Sequence, residues 1–189
     1  MWCAPRISAV LKGGAKQNFL PLTRYIILKG GFAMSISLTL LEYLEWEAVD
    51  YELLRHPPAF DSMHTAEAAH IPGDKLAKCV VLEDEKGFLM AVIPATHELE
   101  LETLNKQLDR ELQFATEDEI ADLYEDCERG AVPPLPEAFG YEAVVDDCLT
   151  DYDDIYLEAG DHNELVHISG RAFQDLTAKA PHGYFSRPV

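Results

Sequence analysis

The sequence predicts an α+β fold, in which a single domain has a mixed, mostly antiparallel sheet with flanking helices. Helical and strand patterns are interspersed along the chain without a regular βαβ repeat, which favours a mixed sheet. Two pairs of neighbouring apolar runs are each split by a turn, as in β-hairpins. The 189 residues are 48% apolar, which is enough to bury one continuous core.

The first elements are predicted from leucine spacing and from alternation. Leucines at helical spacing among acidic residues indicate an amphipathic first helix, with Ser35 or Ser37 near its cap. Residues 49–54 then alternate as a half-buried strand does. After a pair of prolines, Thr65 is expected to cap a short alanine-rich helix.

A central hairpin and a capping box mark the middle of the chain. The apolar runs at 79–82 and 88–93 flank a polar turn that contains a glycine, so they predict a β-hairpin. A leucine stripe over 99–108 predicts a helix, and 112–115 a short strand. Thr116-Glu117-Asp118-Glu119 has the form of a capping box, and the helix that it starts is expected to stop at Gly130. After a segment over 141–149, the remaining elements come in this order: a strand over 155–159, a turn at 160–163, a strand over 165–168, and a final helix from Ser169 to Leu176.

The charge distribution divides the chain. Its 15 Lys+Arg and 34 Asp+Glu give a formal net charge of −19, which argues against sequence-independent attraction to DNA or to an anionic membrane. All acidic residues follow position 41, so residues 1–33 form a basic leader with five positive charges. We therefore expect a leader over 1–33, a domain over 34–180 and a C-terminal tail over 181–189.

Three interpretations of the leader remain open: a presequence, a flexible basic tail, or translation from a start codon placed too early. Lys12, Lys16 and Arg24 interrupt every apolar stretch that a secretory signal would need. No apolar run reaches the length of a membrane span. The four cysteines lack a C-x-x-C spacing, so neither a zinc site nor a disulfide framework is indicated, and a cytoplasmic location is expected.

Two motifs are candidates for chemistry. Lys78 opens a buried strand and is one of only three lysines between positions 78 and 110. A lysine at the mouth of a strand can hold a phosphate or ester oxygen as a compact charge, although lysines there are usually only solvated. The segment 130–134, here the Gly130 loop, joins a permissive glycine to two prolines that stiffen the chain after them. Its exposed amides can polarise a carbonyl, or the loop can be a simple helix stop.

Together with two further segments, these motifs resemble the YbaK/ProX-type aminoacyl-tRNA deacylases, also called the prolyl-tRNA synthetase associated domain. The resemblance extends from about Tyr51 to Leu176. It includes His56-Pro57-Pro58-Ala59-Phe60, which we call the pocket segment. It also includes Gly160-Asp161-His162, which belongs to the turn over 160–163 that we call the Gly160 turn. In that family a strand lysine and a Gly-x-x-x-Pro loop face each other across a pocket for the 3′ end of a mischarged tRNA.

The resemblance implies hydrolysis of the aminoacyl ester in trans, without a metal or organic cofactor. Lys78 and Gly130 would be the catalytic positions. The substrate-binding positions would be His56, Ala131, Val132, Pro133, Pro134, Gly160 and His162. The implied partners are the 3′ end of mischarged tRNA and an aminoacyl-tRNA synthetase that delivers it, but neither DNA nor a membrane.

Two other hypotheses compete with this one. A binding or regulatory module that kept the fold and the pocket would explain the acidic composition, and a small-molecule ester hydrolase could use the same pocket. Cys79 as a nucleophile would need a lowered pKa, so a buried strand cysteine is favoured. A metal site at His162 and His167 is disfavoured, because residues an odd number apart on strands turn to opposite faces.

Overall fold

The structure, a computed structural model, describes residues 36–189, and the predicted leader over 1–33 lies outside them. The helices are α1 (Leu38–Trp46), α2 (Ser62–Ala68), α3 (Leu101–Leu108), α4 (Glu117–Leu123) and α5 (Gly170–Thr177). The strands are β1 (Tyr51–Arg55), β2 (Leu76–Asp84), β3 (Gly87–Pro94), β4 (His97–Leu99), β5 (Gln113–Phe114), β6 (Glu142–Asp146), β7 (Asp154–Glu158), β8 (Glu164–Ser169), β9 (His182–Gly183) and β10 (Ser186–Pro188).

The main sheet is mixed, as predicted. Its strands lie in the order β1-β8-β7-β2-β3-β6-β9, and β5 pairs with the far end of β2. The β1–β8, β7–β8, β2–β3 and β2–β5 pairs are antiparallel, whereas β2–β7, β3–β6 and β6–β9 are parallel. A separate two-stranded sheet joins β4 to β10. Among residues 36–189, no helix is long and apolar enough to cross a membrane.

Alternation along β2 gives the sheet two faces. Leu76 packs with Ala66 of α2, and Leu82 packs with Leu104 of α3, on one face. The odd-numbered residues of β2 point to the other face, where Ala77 joins the core against α1 and α5. Lys78, between the α2 and α3 clusters, therefore shares the first face.

Local capping explains where several helices begin. Ser37 and Ser169 each accept a backbone hydrogen bond from the first turn, at 3.1 Å from Leu40 and 3.2 Å from Ala172, which confirms both predicted caps. The capping box of Thr116 and Glu119 is also present. These bonds involve residues three apart in sequence, which is why the pattern alone predicts them.

Two predicted boundaries are wrong. Asp61, and not Thr65, caps α2, since its Oδ1 accepts from the His64 amide at 3.0 Å. Helix α4 ends at Leu123, well before Gly130. Tyr124 ends the helix because its ring packs into the core. The centroid of that ring lies 4.6 Å from the centroid of the Phe139 ring.

The C-terminal segment, expected as a tail, is part of the fold. Residues of β9 pair with β6, and those of β10 pair with β4. Phe185 between them is completely buried, and its amide donates to Asp146 Oδ2 at 3.0 Å. The last nine residues therefore hold α3 and β4 against the sheet.

Candidate functional site

Lys78 is held at the centre of the sheet with its ammonium half-buried. Its Nζ donates to the carbonyl of Ala95 at 3.2 Å. Burial lowers the pKa of Lys78, while the carboxylates of Glu98 and Asp61 oppose that shift. No carboxylate among residues 36–189 forms an ion pair with Lys78. The Lys78 ammonium is thus partly desolvated. Carboxylates influence it, but none of them pairs with it directly.

The pocket segment lies directly against the Gly160 turn. The amide of His56 donates to the Asn163 carbonyl at 2.9 Å, and that of Ala59 donates to the His162 carbonyl at 3.2 Å. The ring of Phe60 is tilted over the imidazole of His162, with 4.7 Å between centroids. Phe60 is nevertheless 75% exposed, whereas His162 is buried. An aromatic face therefore stands open to solvent beside a fixed histidine.

The Gly130 loop meets the same histidine. His162 Nε2 donates to the carbonyl of Arg129 at 2.8 Å. Gly130 has φ +86°, in the left-handed region that glycine adopts most easily, and a Cβ there would lie 3.5 Å from His162 Cε1. The loop, the pocket segment and the Gly160 turn, predicted from separate motifs, are thus brought together around His162.

The amides of the Gly130 loop differ in their availability. The Ala131 amide donates to the Glu128 carbonyl at 3.0 Å, so the expectation that it is exposed is wrong. This hydrogen bond from the Ala131 amide closes the turn over 128–131. Within the described range of 36–189, the amides of Gly130 and Val132 have no acceptor. Pro133 and Pro134 are buried, and they therefore anchor the loop rather than offer open surface.

Gly160 lets three segments approach closely. Its φ is +108°, and a Cβ would lie 2.9 Å from Ser37 Cβ and 3.1 Å from the Ser37 amide. The Ser37 amide donates to the Ala159 carbonyl at 2.7 Å, and the Glu128 amide donates to the Gly160 carbonyl at 2.8 Å. A side chain at position 160 would push apart α1 and the chain leading to Gly130.

Lys78 is connected to the pocket segment by an electrostatic interaction and not by a hydrogen bond to the Gly130 loop. Among the described residues, no hydrogen bond joins Lys78 to the Gly130 loop. Asp61, whose carboxylate acts on the Lys78 ammonium, directly follows Phe60. The charge of Asp61 therefore connects Lys78 to the end of the pocket segment, whereas the Gly130 loop approaches His162 directly.

Neither Cys79 nor the histidine pair fits a reactive role. Alternation turns Cys79 to the opposite sheet face from Lys78, where it packs near Tyr124. Burial raises the pKa of the Cys79 thiol to about 12, so it stays protonated and is a poor nucleophile. His167 contacts Asp154 at 3.1 Å, whereas His162 bonds Arg129. The two imidazoles thus have separate partners.

Sequence patterns missed one buried polar residue near the site, Glu158. Glu158, at the end of β7, is 6% exposed, and burial raises its pKa to about 8. Asp161 raises this pKa further, whereas the hydroxyl of Thr65 lowers it. Glu158 Oε2 and His56 Nε2 have no hydrogen-bond partner within residues 36–189. The sequence signal that could have identified Glu158 is its position as an acidic residue at the end of a strand.

Replacing Gly130 by Ala tests whether the loop conformation matters. The left-handed conformation costs a non-glycine residue about 1–2 kcal/mol, so Gly130→Ala should relax the loop and lower any turnover at this site at least about 10-fold. Gly140→Ala is the matched control, because Gly140 has φ +78° with nothing within 4 Å of a Cβ. Thermal unfolding should be similar for both variants. Equal activities would show that the loop geometry is unimportant.

Comparison with known proteins places these features in a family. A model of the aminoacyl-tRNA editing domain family matches residues 56–176, more than half of the chain. That range holds the pocket segment, Lys78, the Gly130 loop and the Gly160 turn. No protein with a curated description matches the chain.

Three solved structures are similar. A candidate signal transduction protein from Marinobacter aquaeolei VT8 is 25% identical with a TM-score of 0.66, over 79% of this chain and 30% of that one. The chain thus spans about a third of that protein. A candidate trans-editing enzyme for prolyl tRNA synthetase is 20% identical with a TM-score of 0.68, over 83% and 99%. A protein described only as hypothetical is 22% identical with a TM-score of 0.70, over 79% and 99%. The predicted fold class and family resemblance are confirmed.

Proposed function

The chain belongs to the aminoacyl-tRNA editing domain family, and from that premise we propose that it is a trans-acting deacylase. Its substrate is a tRNA that carries the wrong amino acid, and its reaction is hydrolysis of the aminoacyl ester. The supporting observation is the convergence of Phe60 and the Gly130 loop on His162. The half-buried ammonium of Lys78 is under the influence of Asp61, the residue that follows Phe60.

The reaction needs few chemical groups. Water attacks the ester carbonyl carbon, the bond from that carbon to the ribose oxygen breaks, and the amino acid leaves with a free carboxylate. The ribose oxygen takes up a proton, so intact tRNA is the second product. The amides of Gly130 and Val132 are the donors that can stabilise the oxyanion that forms, and one such donor is typically worth about 10²–10³ in kcat. A thiolate at Cys79 has no part in this mechanism.

Lys78 and Phe60 have complementary roles in holding the tRNA end. The ammonium is a compact charge that suits a phosphate or ribose oxygen. The exposed Phe60 ring can stack on the terminal base, and such stacking contributes about 1–3 kcal/mol per base. A catalytic base from the protein is unnecessary where the ribose hydroxyl of the substrate assists the water.

The acidic composition limits how much of the tRNA surface the protein can contact favourably. A formal charge of −19 opposes broad contact with phosphates, which normally supplies most of the affinity. We infer that recognition concentrates on the last nucleotides and the amino acid. Delivery by an aminoacyl-tRNA synthetase in the cytoplasm would compensate for the missing long-range attraction.

A binding or regulatory module is the second candidate. The acidic composition favours it, and so does the matched structure in which a similar domain makes up a minor part of a candidate signal transduction protein. Such a module would bind the aminoacylated 3′ end without cleaving it. It predicts saturable binding of aminoacyl-tRNA and no turnover.

A panel of mischarged tRNAs separates the two candidates. Each tRNA carries a labelled amino acid, and release of the label is measured with and without the native protein. Hydrolysis of at least one mischarged tRNA, with its correctly charged counterpart spared, is the expected result. Binding without release across a broad panel would favour the module, and neither binding nor release would contradict both.

Replacing Phe60 by Ala tests the stacking role. Loss of about 1–3 kcal/mol of base stacking should raise KM about 5- to 160-fold and leave kcat nearly unchanged. Phe114→Ala is the control, since Phe114 is also exposed, at 57%, but lies on β5. An unchanged KM in Phe60→Ala would remove the ring from the binding site.

A further inference from the structure

Two polar atoms near the pocket segment are buried without a partner among residues 36–189. They are Glu158 Oε2 and His56 Nε2, in side chains that are 6% and 7% exposed. A buried polar atom left unpaired is destabilising, and each such atom in a folded protein calls for an explanation. Because both come from elements around the proposed pocket, a bound polar group is the explanation that we examine.

The register of the sheet places Glu158 in the row that leads to Lys78. Leu54 pairs with Leu165, and Leu165 pairs with Glu158. The parallel pairing of β2 with β7 consists of Leu76 with Tyr156 and Ala77 with Leu157, and Lys78 and Glu158 are the next residue on each strand. Paired positions share a face, and this face is the one that carries Thr65 on α2. Glu158 and the proposed catalytic lysine therefore lie on the same face of the sheet, each one residue beyond the paired stretch.

Glu158 is not used by that lysine or by another cation. Lys78 Nζ turns to the Ala95 carbonyl, and the acidic groups that act on it are Glu98 and Asp61. Within the part of the chain that the structure describes, Glu158 forms no ion pair. By contrast Glu164, on the neighbouring strand and equally buried, binds Arg55 Nε at 2.8 Å. Glu158 thus has an acceptor oxygen to offer.

The surroundings of Glu158 favour a positively charged ligand group. Asp161, which is buried nearby, accepts backbone bonds from Asn163 and Glu164 at 3.1 and 2.9 Å. Its charge and the burial of Glu158 raise the pKa of Glu158 to about 8. A cation beside Glu158 would restore the ionised carboxylate. The Thr65 hydroxyl, whose hydrogen bond lowers the pKa of Glu158, can still accept from an N–H donor through its oxygen lone pairs.

We propose that Glu158 and Thr65 bind the ammonium group of the esterified amino acid. This inference rests on the proposed function and extends it to the substrate class. The site would accept aminoacyl esters with a free amine and reject those whose amine is acylated, such as peptidyl esters. Glu158 is then a substrate-binding residue that sets the carbonyl carbon in place between the Gly130 loop and Lys78.

Acetylation of the substrate amine tests the proposal. The mischarged tRNA that the native protein hydrolyses best is prepared with a free and with an N-acetylated amine. Removing one partner of a buried charge pair typically costs about 2 kcal/mol or more, so acetylation should lower kcat/KM about 30-fold or more for the native protein. Glu158→Gln should lose a similar factor on the free amine and show a ratio between the two substrates near one.

Glu164→Gln is the matched control and should keep the native ratio. If Glu158→Gln also keeps the native ratio, or if acetylation has no effect on the native protein, the proposal is wrong while the deacylase function stands. Circular dichroism and thermal unfolding of each variant establish that Gln, which has the same shape as Glu, preserves the fold.

A binding measurement separates this proposal from the failure of the enzyme function. Calorimetry uses the stable 3′-amide analogue of aminoacyl-adenosine with a free or an acetylated amine. The native protein should bind the free amine at least about 10-fold more tightly, and Glu158→Gln should remove that difference, even if no ester is cleaved. Equal or undetectable binding of the two analogues by the native protein would overturn the ammonium site.

Discussion

Replacing Lys78 by Met is expected to lower kcat/KM for a mischarged tRNA about 100-fold or more. Removing one preorganised electrostatic group from an active site typically costs about 10²–10³ in rate. Methionine matches the length of the lysine stem without its charge, so packing between α2 and α3 is kept. Because the structure partly desolvates the ammonium, the melting temperature should stay the same or rise. Loss of activity with no loss of stability distinguishes a functional lysine from a structural one.

Lys75→Met is the control for that experiment. Lys75 precedes β2 by one residue, and its Nζ lies 3.4 Å from Asp154 Oδ2 at a half-exposed ion pair. Such a pair contributes little, and its removal should leave turnover near the native rate. A native rate for Lys78→Met, or an equal loss for both variants, would show that Lys78 has no specific role.

Replacing Gly170 by Ala should destabilise the fold by about 3 kcal/mol or more, which is at or above the upper part of the usual range for overpacking. A Cβ at this position would lie 1.8 Å from the Tyr152 carbonyl oxygen and 2.9 Å from its carbon. Both atoms are backbone, and the Gly170 amide already donates to the Asp153 carbonyl at 2.7 Å. The methyl group must therefore displace either α5 or the chain that enters β7. Urea unfolding measures the loss.

Ser169→Ala, one residue earlier, calibrates the result. It removes only the cap bond to Ala172 and should cost about 1 kcal/mol. If Gly170→Ala costs no more than Ser169→Ala, the close approach of residues 152 and 170 is not a constraint on the fold.

Features set by near neighbours could be predicted from sequence. The β2–β3 hairpin is indicated by two apolar runs around a glycine turn, and the α4 cap by Thr116 and Glu119. The prediction of the α2 cap was wrong because Asp61 and Thr65 are both residue types that can cap a helix. Only the path of the chain after Pro58 decides between them. The end of α4 was missed because Tyr124 is drawn into a core formed by distant residues.

The candidate site divides in the same way. The loop glycine and the histidine could be found as motifs, because backbone conformation and turn chemistry are local. Three facts depend on pairing across the sheet or on loop closure: the use of the Ala131 amide, the stacking of Phe60 on His162, and the burial of Glu158. Sequence spacing does not report which segments meet, so these facts required the structure.

The most direct test of the proposed site is to map where an aminoacyl 3′ end binds. A stable 3′-amide analogue of aminoacyl-adenosine is titrated into isotope-labelled protein, and backbone amide shifts are followed by NMR. The largest shifts are expected at Phe60, Gly130, Val132 and His162. Shifts confined to the separate groove of about 720 Å³ that is lined by Lys86, Glu102, Lys106 and Arg110, or none at saturating analogue, would contradict the proposed site.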